Sequence, residues 1–120
     1  MSRVKVENDQ LIVTMKGARK FFALKSEFAI PLDNVAGATI GLSWKELPKL
    51  LDKRAGTNAN SFYLGGIFVQ DGDKVFYDIK RKEDAVVISL KDEDFKRLII
   101  GVDAPDTTVE YIEEALKNRA

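Results

Sequence analysis

The stretch from Phe62 to Val102 constrains the fold more than any other part of this 120-residue chain. Four apolar-patterned runs follow one another there: Phe62–Gln70, Lys74–Lys80, Ala85–Leu90 and Arg97–Val102. Each has the length of a strand and is rich in Val, Ile, Phe or Tyr, residues that suit a pleated, half-buried surface. Gln70-Asp71-Gly72-Asp73 sets Asp-Gly between two alternating runs, the strongest short-range hairpin signal. The other connectors, Lys80–Asp84 and Lys91–Asp94, are short and charged. Four strands in close succession predict a mainly β domain whose strands meander from one to the next.

The upstream half continues the pattern less regularly. Arg3–Glu7 alternates, with Val4 and Val6 on one face, and Asn8-Asp9 is a turn signal before Leu11, Val13 and Met15. Together these predict a first hairpin. Gly17–Leu24 breaks the alternation, and Ala18, Phe21, Phe22 and Lys25 fall at helical spacing. Ser26–Leu32 returns to strand period, with Pro31 suited to an edge or a strand end. Val35–Leu42 reads as another strand, and Gly37 and Gly41 allow it to bend. Ser43–Arg54 reads as irregular or helical, with Ser43 and Glu46 at capping-box spacing. Ala55–Ser61 is a loop by composition.

After Asp103-Ala104-Pro105 stops the last strand, Thr107 and Glu110 have capping-box spacing. The predicted helix then runs to about Lys117 with Val109, Ile112 and Leu116 on one face. Acidic residues crowd its start and basic ones its end, as the helix dipole favours. The expectation is one domain over residues 1–120. It is a curved antiparallel sheet or partly open barrel of about seven or eight strands, capped by a C-terminal amphipathic helix.

Composition narrows function by exclusion. The chain has no cysteine, which removes disulfides, thiolate metal sites and a thiol nucleophile. It has no histidine, which removes the commonest general base and metal ligand at neutral pH. Ser2, Ser26, Ser43, Ser61 and Ser89 therefore have no imidazole to activate them. The chain reads as a non-enzyme without a cofactor. Net charge is zero, although residues 1–30 carry six basic against three acidic side chains, and residues 91–120 five against eight. That balance argues against a nucleic-acid partner. No run reaches the roughly 18 apolar residues of a membrane span, and the first ten residues lack a signal-like apolar core. A cytoplasmic location is expected.

Four stretches carry a resemblance: Phe28–Val35 (FAIPLDNV), Gly65–Asp78 (GGIFVQDGDKVFYD), Ala85–Leu90 (AVVISL) and Phe95–Ile100 (FKRLII). With the helix that follows, they resemble a bacterial pleckstrin-homology-like (PH-like) domain family. That resemblance implies a curved antiparallel sheet closed by a C-terminal helix. It also implies binding of a lipid headgroup, a peptide or another protein, with self-association in some members. Fold alone does not choose among these.

Two segments are the candidate working surfaces. Lys16, Arg19, Lys20 and Lys25 form a basic cluster that suits anionic lipid phosphates, and the adjacent Phe21 and Phe22 suit a membrane interface. A short helix burying both phenylalanines under a solvated basic face accounts for the same residues. Trp44 and Leu47, with Leu50 and Leu51, form an apolar group that suits a protein partner or a homo-oligomer. A lid over the open side of the sheet accounts for the same residues. Asp71 with Asp73, and Asp92-Glu93-Asp94, read as turns rather than calcium loops, because the twelve-residue calcium pattern is missing.

Overall fold

The structure, a computed structural model, describes residues 2–15, 27–41, 63–81 and 83–119, together with the backbone of 52–53 and 58–59. The fold is mainly β with one C-terminal helix, as expected. The strands are β1 (Ser2–Glu7), β2 (Gln10–Met15), β3 (Glu27–Pro31), β4 (Val35–Ile40), β5 (Asp52–Lys53), β6 (Asn58–Ala59), β7 (Tyr63–Gln70), β8 (Asp73–Lys80), β9 (Asp84–Leu90) and β10 (Arg97–Val102), followed by helix α1 (Pro105–Lys117). They form a three-stranded sheet, β1-β2-β3, and a seven-stranded sheet ordered β4-β9-β10-β8-β7-β5, with β6 also paired to β7.

The β1–β2 and β7–β8 hairpin turns follow from local chemistry. Asn8 and Asp9 have φ of 53° and 59°, and Asp71 and Gly72 have φ of 51° and 85°. Two successive left-handed residues match the twist of the flanking strands, and Asn, Asp and Gly tolerate that region best. Gly37 sits where the register of β4 against β9 shifts between Val35 and Gly37, so the glycine-bearing strand does bend.

The meander expected over Phe62–Val102 is corrected in one respect. β10 lies between β9 and β8, antiparallel to β9 and parallel to β8. Three residues separate β8 from β9, enough chain to span the ~9.5 Å of a skipped strand position. β10 takes the central place because its run Leu98-Ile99-Ile100-Gly101-Val102 is apolar on both faces and buried throughout, the pattern of a strand covered on both sides. Asp52–Lys53 and Asn58–Ala59, read as helical or loop, are short strands against β7. Pairing with that open edge overrides weak local propensity. The helix starts at Pro105, not at a Thr107 cap: Ala104 is its N-cap, without a side-chain hydrogen bond. Proline at the first helical position needs no donor and sets the start.

Two cores result. The larger lies between the sheets and under α1, and includes Leu11, Val13, Phe28, Ile30, Phe76, Ile88, Leu98, Ile100 and Ile112. The second lies on the opposite face of the large sheet, with Leu64, Phe68, Val75, Tyr77, Ile79, Ala85 and Ile99. β8 therefore buries both faces, and of its eight residues only Lys80 is exposed. At the outer edge, the Ala38 backbone N–H donates to Glu113 Oε1 of α1 at 3.0 Å. Tyr111 accepts the Val6 N–H at 2.8 Å. The helix thus covers edge backbone as well as apolar side chains. No helix among the described residues is long and apolar enough to cross a membrane.

Candidate functional site

A buried polar cluster centres on Asp78 in β8, whose carboxyl is fully enclosed. It accepts from the Ser2 hydroxyl at 2.6 Å on Oδ2 and from the Tyr63 hydroxyl at 2.6 Å on Oδ1. The position of Tyr63 follows from sequence: Gly65, directly opposite Asp78 in the ladder, has no Cβ. The Tyr63 ring fills that space, and a Cβ at 65 would lie 2.5 Å from Tyr63 Cζ. Burying such a carboxyl without donors costs about 1–3 kcal/mol per lost hydrogen bond. The two hydroxyls answer that cost and tie β1 and β7 to β8. With Ser2 and Tyr63 also buried, the cluster has no surface on which a substrate could sit. Its chemistry is that of a joint between the two sheets.

On the reverse face of the same strand, the Tyr77 hydroxyl donates to Gln70 Oε1 at 2.7 Å. Burial pushes its phenol up from the ordinary 10.0 to about 12, against the opposing pull of Arg97 and the Gln70 hydrogen bond.

The open feature is a groove of about 180 Å³ between β3 and the Leu90–Phe95 loop. Its floor comes from Phe28 and Phe95, which pack on the fully buried Phe76 behind them. Phe28 meets Phe76 at 4.8 Å and Phe95 at 5.6 Å between ring centroids, both edge-to-face. Leu90 and Ile30 complete the apolar part, and Glu27, Glu93 and Asp94 form an acidic rim. The rim is ordered by its own contacts. Asn34 Nδ2 donates to Glu93 Oε2 at 2.6 Å, and Lys74 pairs with Asp94 at 2.6 Å. Lys74 also sits 5.2 Å from the centre of the Phe95 ring, so one cation borders the three carboxylates. One wall is the outer edge of β3, which pairs only with β2 among the described residues.

Lys16, Arg19, Lys20 and Lys25, in the connection from β2 to β3, lie outside the described residues, as do Trp44 and Leu47 between β4 and β5. Asp71 is a hairpin turn residue, and Asp73 begins β8. No group of three or more metal-ligating side chains is found among the described residues. Comparison with family models, curated proteins and solved structures finds no match.

Sequence reading missed both features. A lone acid inside the apolar run Val75–Ile79 was the available signal for Asp78. The groove has no linear signal, because Glu27 and Asp94 are far apart in the chain and meet only through packing.

Proposed function

We propose that the chain is a non-catalytic, PH-like interaction domain that binds a protein partner, or a second copy of itself, by accepting an extended segment along β3. The observation that carries this reading is the coincidence of a groove floored by aromatic rings with a strand edge that, among the described residues, pairs only with β2. An exposed strand edge is a template for another strand, and main-chain pairing there supplies affinity while pockets supply selectivity. The resemblance over Phe28–Val35, Gly65–Asp78, Ala85–Leu90 and Phe95–Ile100, with a helix-capped sheet, supports the PH-like part of the reading. The parallel β8–β10 pair is the feature that a simple meander does not include.

The test compares wild type with Ala29→Pro. Ala29 is exposed on the outer strand, and proline removes its N–H without touching the core. Light scattering after size-exclusion chromatography reads self-association, and affinity capture with quantified recovery reads partner binding. Association present in wild type and lost in the variant is expected. A wild type that stays monomeric and captures nothing sinks the reading.

A further inference from the structure

The edge of β3 and the charge of the groove beside it specify the partner's chemistry. We infer that the occupant is a basic extended segment: a strand added to β3 at Glu27–Ala29, with one arginine or lysine seated between Phe95 and the Glu93–Asp94 rim. This inference rests on the interaction reading above and adds the partner's backbone register and charge.

The register follows from one hydrogen bond. The Leu32 N–H donates to the Asp9 carbonyl at 2.9 Å, and the pairing of β2 with β3 continues as Leu11 with Ile30 and Val13 with Phe28. Antiparallel ladders alternate between hydrogen-bonded and non-hydrogen-bonded pairs. Ile30 and Phe28 therefore direct their backbone groups to β2, whereas Glu27, Ala29 and Pro31 direct theirs outward. Pro31 has no N–H. The donors on the outer edge are thus the amides of Glu27 and Ala29, and the groove opens beside that same stretch.

The side-chain preference follows from the groove. Alternate residues of an added strand point to the same side as Phe28 and Ile30, toward the gap between the sheets. A volume of about 180 Å³ holds one long side chain. Its entry is flanked by Leu90 and Phe95 below and by Glu27, Glu93 and Asp94 at the rim, with Lys74 offsetting one of the three charges. An Arg or Lys satisfies both parts, laying its aliphatic stem on the apolar wall and its charge among the carboxylates. An acidic side chain would meet like charge, and a short apolar one would leave the rim without a counter-charge.

The test uses the full chain and three fluorescein-labelled, end-capped peptides, Val-Arg-Val-Arg-Val, Val-Gln-Val-Gln-Val and Val-Glu-Val-Glu-Val, followed by fluorescence anisotropy. The arginine peptide is expected to bind about ten-fold more tightly than the glutamine peptide, and the glutamate peptide not at all. Each of Glu93→Gln and Asp94→Asn should weaken the arginine peptide about two- to five-fold, the scale of a partly exposed ion pair. Added salt should erode the preference. A peptide N-methylated at the amides facing β3 should fail against wild type, which tests the strand pairing without depending on a protein variant that folds. Equal binding of arginine and glutamine peptides, both lost on N-methylation, overturns the charge inference and leaves the strand-edge reading standing. Binding indifferent to N-methylation, or no binding by any peptide, overturns the strand-edge reading itself.

Discussion

Replacing Gly65 with alanine should be among the most damaging single-methyl additions in this chain, and the reason is local to one ring. Gly65 faces Asp78 across the β7–β8 ladder, and Tyr63 folds over it so that its hydroxyl reaches Asp78 Oδ1. A Cβ at 65 would stand 2.5 Å from Tyr63 Cζ, where an ordinary carbon contact is about 3.5–4.0 Å. The φ of Gly65 is not in the left-handed region, unlike that of Gly66 at 106°, so the cost is steric rather than conformational. Forcing a ring aside in a packed interior costs about 1–3 kcal/mol. Losing one donor to a buried carboxyl adds about 1–2 kcal/mol. Together they predict about 2–5 kcal/mol in urea unfolding, or roughly 8–25 °C in Tm for a domain of this size. The decisive comparison is the double-mutant cycle with Tyr63→Ala. Without the ring, Gly65→Ala should be nearly neutral, giving a coupling of at least about 1 kcal/mol. An equal cost in both backgrounds would refute the argument that the ring occupies the glycine's missing side chain.

Further expectations concern the edges, the turns and alkaline pH. Glu113→Ala should cost about 0.5–1.5 kcal/mol by removing the acceptor for the Ala38 N–H, and light scattering should show increased self-association as that edge opens. Asp9→Gly should raise stability by about 0.5–1 kcal/mol in thermal unfolding, because glycine adopts φ of 59° without strain. Tyr77 holds its proton to about pH 12 in the folded protein against 10.0 in the unfolded chain. Its contribution is therefore complete below pH 10 and is lost as pH rises through 12, an alkaline slope of about 2 kcal/mol. Tyr77→Phe should abolish that slope in urea titrations between those pH values. Phe95→Ala, which removes the shared wall of the groove and one member of the phenylalanine cluster, should cost about 3–5 kcal/mol in urea unfolding.

Much of the architecture was written locally in the chain. The alternating runs gave nearly every long strand, since period-two patterning and Asn-Asp or Asp-Gly turns act over a few residues. The terminal helix was equally legible from Val109, Ile112 and Leu116, although Pro105 rather than Thr107 set its start. Residues with no partner nearby in sequence were read less well. Asn58–Ala59 becomes strand only because β7 offers it an edge, and no propensity within AGTNANS encodes that neighbour.

Sequence alone therefore determined the mainly β class, the hairpin turns, the amphipathic helix and the absence of histidine and cysteine chemistry. Only the tertiary structure decided strand order. The insertion of β10 between β8 and β9 depends on which position can bury Leu98–Val102 on both faces, a competition among whole strands. The same holds for the groove. Glu27, Glu93 and Asp94 lie on opposite walls because two sheets pack through Phe28, Phe76 and Phe95, and side-chain packing at long sequence separation leaves no periodic trace along the chain.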